Sequence, residues 1–304
     1  MSRRSPAYLM LTSVPLFWSF NWIVGRALAS NVPPFAMTYL RWLVAIALMA
    51  PFALPHLARD WPVLRRQWKP MIVLGVLGVA GHNALAYYGL HTTTATNGLI
   101  LNSCIPVMII AISWMFLGER LSGVQLSGVV LSFFGVLTIL SRGDVTMLAA
   151  FRLNIGDLFV LASILVWSLY TIGLRWRPVG VHFMSFLFVL ACVGDIAVLP
   201  LATLELATGT RVELTLANVS AIAFVALFSS VLAYIAWNRG VELVGASIAG
   251  LFVHLMPVFG VVLAWIFLGE RAAPFHLAGI VLILSGIYIT TRLGRQVVPA
   301  AATD

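Results

Sequence analysis

The sequence predicts an all-α integral membrane protein, with ten transmembrane helices arranged as two inverted-topology five-helix repeats. Of its 304 residues, 61% are hydrophobic and 9% are charged, whereas a soluble domain is about a quarter charged. The apolar stretches are continuous over roughly 20 residues, as membrane helices require, while strands of a membrane barrel alternate over about 10. The chain also repeats itself, because the pentapeptide FLGER stands at both 116–120 and 267–271.

Ten apolar stretches are long enough to cross a bilayer. We expect the spans at 7–29, 35–55, 70–90, 94–116, 122–140, 156–174, 181–203, 217–240, 245–267 and 274–291. The first span follows Arg3 and Arg4 and resembles a secretory signal, but its apolar run is too long for one. We expect it to be retained, because Trp18 within it recurs as Trp167 in an internal span.

The duplication covers the whole chain. Pro106 matches Pro257 and Trp114 matches Trp265 at a separation of 151 residues, while Trp18 and Trp167 are 149 apart. This period is far longer than that of a solenoid and therefore indicates one duplicated unit of five spans. We expect a first repeat at 1–142, a linker at 143–153 and a second repeat at 154–304.

An odd number of spans means that the second copy must insert upside down. With the N-terminus inside, twelve of the 18 Lys and Arg residues fall on the cytoplasmic side and six outside, as the positive-inside rule requires. Arg120 then lies inside, Arg271 lies outside and both termini are cytoplasmic. Inverted repeats of this kind are typical of secondary transporters.

The repeat also resembles a known family. Each copy has Trp-Ser in its first span, a proline in the middle of its fourth and Leu-Gly-Glu before its fifth. This pattern resembles the EamA-type repeat of the drug/metabolite transporter superfamily over residues 8–292, and the Trp-rich chain looks most similar to the YddG-type amino-acid exporters. The resemblance implies export of aromatic and other neutral amino acids, or of drugs, across a bacterial inner membrane.

Charge is scarce in the middle of the spans, since Arg26 and Arg41 lie toward span ends. Transport of a phosphorylated solute would need Arg or Lys facing the pore, and we expect none there. Hydroxyls, amides and ring faces suit a neutral or zwitterionic solute. We therefore predict that a central cavity binds substrate through Trp18, Asn21, His82, Tyr87, Asn102, Ser103, Trp167, Tyr170, Ser229, Tyr234, Trp237 and His254.

Structural interpretations of these residues stay open, because aromatic residues also anchor span ends and mid-span His or Asn also joins helices. Asp195 is the one acid near the middle of a span, so Asp195, His82 and His254 are the candidate proton carriers. A bond from Asp195 to a neighbouring Ser or Thr would instead serve packing alone. Pro106 and Pro257 should kink their spans, either exposing carbonyls to the cavity or shaping the packing.

We expect a transporter that works by alternating access without a cofactor, a metal or an ATPase subunit, since no P-loop and no long loop is present. Cys104 and Cys192 suggest no disulfide or metal site. The expected partners are a small-molecule substrate and the lipid bilayer, with no nucleic acid, and the expected state is a monomer. The alternatives are a proton-coupled multidrug or metabolite exporter, a passive channel, and a membrane enzyme acting on a lipid-linked substrate.

Overall fold

The computed structural model describes residues 5–28, 30–93, 95–144, 146–147, 154–268 and 273–293. In this part of the chain, ten helices are long and apolar enough to cross a membrane, which confirms the predicted fold class. They are α1 (Ser5–Leu28), α2 (Pro34–Arg66), α3 (Trp68–Thr92), α4 (Ala95–Asn102 and Ile105–Leu117), α5 (Gly123–Leu140), α6 (Ile155–Trp176), α7 (Phe183–Ala207), α8 (Leu216–Val244), α9 (Ala246–Leu251, Phe252–His254 and Leu255–Leu268) and α10 (Pro274–Leu293).

Helix α2 is longer than the sequence suggested. We expected it to end at Pro55, but it continues through Pro55 and Pro62 for 33 residues, or about 50 Å at 1.5 Å per residue. The added turns are anchored, because the buried Asp60 accepts a hydrogen bond from the backbone N–H of His182 at the start of α7. Proline removes one helical hydrogen bond, and packing against α7 offsets that loss here.

Four helices are interrupted in two matching pairs. Helix α3 contains a π-helical segment at Val76–Gly81, and α8 contains one at Ala226–Leu232. Helix α4 breaks between Asn102 and Ile105, and α9 narrows to a 3-10 turn at Phe252–His254. The α4 and α9 interruptions lie directly before Pro106 and Pro257, whose missing N–H groups cannot continue the ladder of helical hydrogen bonds.

The helices pack with an internal two-fold symmetry. Helix α5 packs on α10 and α2 packs on α7, and these are equivalent helices of the two repeats. Helix α3 packs on α6, and α8 packs on α1 in the matching way. Because the repeats are inverted, this symmetry axis lies in the plane of the membrane.

Glycines bring α5 and α10 close together across that axis. A Cβ atom on Gly128 would lie 2.6 Å from the carbonyl oxygen of Gly286, and one on Gly135 would lie 2.7 Å from that of Gly279. Gly128 is equivalent to Gly279 and Gly135 to Gly286, so the same contact is made twice. Small residues allow such close packing of membrane helices.

The surface and the interior divide as expected for a protein in lipid. Large hydrophobic side chains are exposed on the outside of the bundle, including Trp114, Phe134 and Leu277.

Of the expected linker at 143–153, only 143, 144, 146 and 147 lie within the described residues. Residues 269–271 of the second FLGER copy also fall outside them.

Candidate functional site

A small cavity of about 30 Å³ lies in the centre of the bundle. Its walls come from helices α1, α2, α3, α4, α6, α8 and α9, so both repeats contribute. The lining residues are Trp18, Asn21, Trp22, Arg41, His82, Asn83, Asn102, Ile105, Trp167, Tyr234 and Met256. The volume suits one or two water molecules, so the cavity must widen to admit an organic solute.

Half of the predicted binding residues line this central cavity: Trp18, Asn21, His82, Asn102, Trp167 and Tyr234. The other six are Tyr87, Ser103, Tyr170, Ser229, Trp237 and His254, and they lie in the layer around it. The other five lining residues are not among the predicted binding residues: Trp22, Arg41, Asn83, Ile105 and Met256. Trp22 lies one helical turn after Trp18 on α1, and that i, i+4 spacing was a usable signal.

Aromatic side chains form one side of the cavity. The Trp18 and Trp167 rings meet edge to face with centroids 5.0 Å apart, and the Trp237 ring lies 5.2 Å from Trp18 and 5.5 Å from Trp167. Tyr170 and Tyr234 also contact Trp167, at 5.1 and 5.6 Å. Such ring faces suit the apolar or aromatic body of a solute.

A backbone carbonyl in the π-helical segment of α3 accepts hydrogen bonds from two cavity residues. The Tyr234 hydroxyl donates to the Gly78 carbonyl over 2.5 Å and accepts from Asn83 Nδ2 over 3.3 Å. Asn83 and Tyr234 are equivalent positions of the two repeats, 151 residues apart. Equivalent residues touch only at a symmetry axis, so the cavity lies on the axis that relates the repeats.

Arg41 is buried beside the cavity, with 1% of its surface exposed. Its Nε donates to Ser230 Oγ over 2.9 Å, and its Nη1 donates to Asn21 Oδ1 and Tyr87 Oη over 3.2 and 2.7 Å. The expectation that no Arg or Lys faces the pore is therefore wrong. Arg41 lies only about 10 Å from the start of α2. At this depth, however, α2 borders the central cavity.

The two histidines have different surroundings. His82 lines the cavity with its ring 4.7 Å from Trp167, and its Nδ1 lies 3.1 Å from the Ser163 carbonyl oxygen. His254 is fully buried, with Nε2 3.0 Å from the Ser103 carbonyl and Nδ1 2.7 Å from Ser132 Oγ. Both ring nitrogens of His254 are thus engaged, and this side chain joins α9 to α4 and α5.

The remaining predicted residues lie around the cavity. Pro106 follows Ile105, which lines it, and Pro257 lines a neighbouring void of about 10 Å³ together with Ser103 and His254. Asp195 is buried on α7 and is not part of the central lining. Its Oδ1 has no hydrogen-bond partner among the described residues, so the expected bond to a Ser or Thr is not formed by that atom.

Comparison with known proteins gives the family. The model of the EamA-like transporter family matches the chain twice, at residues 5–141 and 154–292. This protein belongs to the EamA-like transporter family. Its relatives include the uncharacterized transporters YyaM and YetK of Bacillus subtilis, which are 27% and 26% identical. The YyaM alignment covers 92% of both chains, and the YetK alignment covers 97% of this chain and 90% of YetK.

A solved crystal structure shares the fold of this EamA-like transporter. The TM-score is 0.78 at 22% sequence identity, and the alignment covers 96% of this chain and 98% of the other. An uncharacterized transporter of Archaeoglobus fulgidus is 25% identical, over 96% of this chain and 99% of its own. The fold is thus shared with the solved structure over nearly the whole of both chains.

At one end of the EamA-like bundle a vestibule of about 280 Å³ opens between the C-terminal ends of α4, α6 and α8. Thr171 lines it and accepts a hydrogen bond of 3.3 Å from Trp237 Nε1. Trp237 in turn contacts Trp18 and Trp167 of the cavity wall. The aromatic cluster therefore separates the vestibule from the central cavity.

Ion pairs surround this vestibule. Glu242 pairs with Arg177 over 2.5 Å and with Arg239 over 2.6 Å, and Glu119 pairs with Arg175 over 3.3 Å. They connect the ends of α4, α6 and α8, which are partly exposed. Partly exposed pairs of this kind contribute little to stability.

A polar network joins helices at the opposite end of the bundle. Thr93 Oγ1 and Asn97 Nδ2 both donate to the Asp157 carboxylate. Asp157 Oδ2 also accepts from the backbone N–H of Asn154 over 2.8 Å, which caps the start of α6. These bonds connect the turn between α3 and α4 to α6.

Proposed function

We propose that this protein exports small neutral or zwitterionic metabolites, chiefly aromatic and other apolar amino acids, by alternating access. The observation that carries the proposal is the central cavity, which both inverted repeats build on their common axis. When two equivalent halves exchange conformations, a site between them faces first one side of the membrane and then the other. The vestibule at one end and the hydrogen-bonded network at the other are consistent with one step of such a cycle.

The lining supports the substrate class. Rings of Trp18, Trp167 and Tyr234 offer apolar faces, while Asn21 and Asn102 offer amide groups. Among the described lining residues Arg41 is the one arginine or lysine, and a doubly charged phosphate ester would need more than one.

The proposed energy source is the substrate gradient. The described lining contains no Asp or Glu that could carry a proton through the cavity. We propose facilitated export across a bacterial plasma membrane, with both termini in the cytoplasm. Proton-coupled export of drugs or other metabolites is the competing function, and it would use Asp195, His82 or His254.

Counterflow in liposomes tests the proposal. Liposomes that contain the purified protein and unlabelled L-phenylalanine should accumulate external labelled L-phenylalanine in a saturable way, and they should not accumulate glucose 6-phosphate. Accumulation should continue after an ionophore collapses the pH gradient. Transport of the sugar phosphate but of no amino acid would refute the substrate class, and dependence on the pH gradient would favour proton coupling.

A matched pair of tyrosine variants links the activity to the cavity. Tyr234→Phe removes the hydroxyl that bonds Gly78 and Asn83 and should lower counterflow. Tyr288→Phe changes a tyrosine that is 58% exposed on α10 and should leave counterflow unchanged. Equal activity of the two variants would contradict a substrate route through this cavity.

A further inference from the structure

Arg41 is a buried cation without a counter-charge. No carboxylate among the described residues lies within ion-pair distance of its guanidinium, although the chain forms such pairs elsewhere. The rings of Trp42 and Tyr87 lie 5.6 and 5.8 Å from its Cζ and supply only a partial cation–π compensation. A charged side chain within a membrane helix is costly, so an unpaired one at a cavity indicates a missing anionic partner.

The hydrogen bonds of Arg41 orient its guanidinium and leave part of it unused. A guanidinium has five N–H donors, and the bonds to Ser230, Asn21 and Tyr87 use one on Nε and two on Nη1. Nη2 makes no hydrogen bond to the described part of the chain. All three acceptors are neutral, so they position the group without cancelling its charge.

We propose that Arg41 is the anion-binding residue of the transport site and that it takes the carboxylate of the substrate on Nη2. A single guanidinium balances a single negative charge, and its N–H groups match the oxygens of a carboxylate. The inference rests on the proposed transport function and adds to it a residue and a required chemical group.

Other cavity groups fit the rest of a zwitterionic amino acid. His82 Nδ1 faces the carbonyl oxygen of Ser163, which only accepts, so Nδ1 carries the hydrogen and Nε2 of the neutral ring is an acceptor. This nitrogen makes no hydrogen bond to the described residues, and it can accept one from a substrate ammonium. The ring faces of Trp18 and Trp167 then receive the side chain.

The test compares compounds that differ in one group. Unlabelled L-phenylalanine, 3-phenylpropanoate and L-phenylalaninamide compete against labelled L-phenylalanine in counterflow. Wild-type protein should prefer both carboxylates over the amide by about tenfold or more, as expected for a buried charge-assisted hydrogen bond. Arg41→Gln should lose this preference, Arg41→Lys should keep part of it, and Arg211→Gln, which changes an exposed arginine, should behave as wild type.

Thermal unfolding separates this role from a structural one. Arg41→Gln should unfold no earlier than the wild type, because it removes an uncompensated buried charge, and L-phenylalanine should no longer stabilise it. If Arg41→Gln does not fold, the Arg41→Lys variant provides the test. Equal competition by 3-phenylpropanoate and L-phenylalaninamide in that variant overturns the inference. Equal competition by acid and amide in the wild type overturns the inference but leaves transport standing, whereas no counterflow of any solute refutes the proposed function itself.

Discussion

Arg41 and Asp195 are both buried in the bundle, but their surroundings differ in a way that assigns them different roles. Arg41 reaches the cavity and is oriented by three hydrogen bonds. Asp195 lies outside the cavity lining, and its Oδ1 has no partner among the described residues. A buried carboxyl with an unused oxygen adds little to stability as an ionised group, and its position gives it no direct contact with a solute in the cavity.

Replacement of Asp195 should therefore be tolerated. We expect Asp195→Asn to retain most downhill counterflow with the pH gradient collapsed, and to unfold at the wild-type temperature or above it. Asp60→Asn is the matched control, because the Asp60 carboxylate pairs with Arg59 and accepts the His182 N–H, and its loss should cost about 1–3 kcal/mol. Loss of counterflow in correctly inserted Asp195→Asn would make Asp195 part of the transport mechanism.

Residue types at the cavity could be predicted from the sequence, but their orientation could not. Mid-span Trp18, Asn21 and Asn102 were recognisable as polar or aromatic groups in apolar helices. Position along the span places Arg41 too near the membrane surface, because it does not show that this face of α2 turns toward the cavity. The position of Ser229 in the middle of its span predicts a binding residue. Its hydroxyl instead donates to the Phe17 carbonyl and joins α8 to α1.

At the level of the helices, the site depends on irregular segments. The π-helical segments of α3 and α8 supply the Gly78 carbonyl and Ser230, which bind Tyr234 and Arg41 respectively. The sequence predicted the spans because they are apolar, and it predicted the breaks in α4 and α9 from Pro106 and Pro257. It could not predict the π segments, because one extra residue in a turn leaves a uniformly apolar stretch unchanged.

The contact between α5 and α10 should be intolerant of larger side chains. A Cβ on Gly286 would meet the Gly128 carbonyl and the backbone nitrogen of Ser132, so Gly286→Ala should destabilise the protein by about 1–3 kcal/mol. The measurement is thermal or denaturant-induced unfolding of the purified protein in detergent.

Gly260→Ala provides the control for this substitution. Gly260 lies within α9, and a Cβ there would have no heavy atom of the described residues within 4 Å, apart from its chain neighbours and the backbone of its own helix. Since alanine favours a helix over glycine by about 0.5–1 kcal/mol, Gly260→Ala should be neutral or slightly stabilising. If the two variants unfold alike, α5 and α10 are not packed as closely as described.

At the scale of the whole molecule, two inverted halves meet at a cavity through equivalent residues. Trp18 contacts Trp167, Asn83 contacts Tyr234, and the Ser103 carbonyl contacts His254. The duplication was visible in the sequence, but these contacts were not, because a repeat period gives the equivalent positions without saying which of them lie on the axis. The chemical differences within the pairs, such as Asn against Tyr, make the two halves inequivalent at the site.

The predicted orientation can be tested with two cysteines. In a variant without Cys104 and Cys192, Arg271→Cys should react with an impermeant thiol reagent added to intact cells, whereas Arg120→Cys should react only after the membrane is opened. The reason is the odd number of spans in each repeat together with the positive-inside rule. Equal labelling of both positions from outside would contradict the expected topology.

The doubled glycine contact between α5 and α10 has a consequence for how such a molecule can be assembled. Gly128 with Gly286 and Gly135 with Gly279 form the self-complementary interface expected of two identical subunits. Two separate copies of one five-span chain could make it only if that chain inserted in both directions, and a strong charge bias forbids this. In the fused chain the bias differs between the halves. Arg65, Arg66 and Arg120 lie at or near the ends of the second and fourth spans of the first half, α2 and α4, whereas Arg175, Arg177 and Arg239 lie at or near the ends of the first and third spans of the second half, α6 and α8. Covalent linkage thus lets each half carry its own insertion signal, and guarantees one copy in each direction in every molecule.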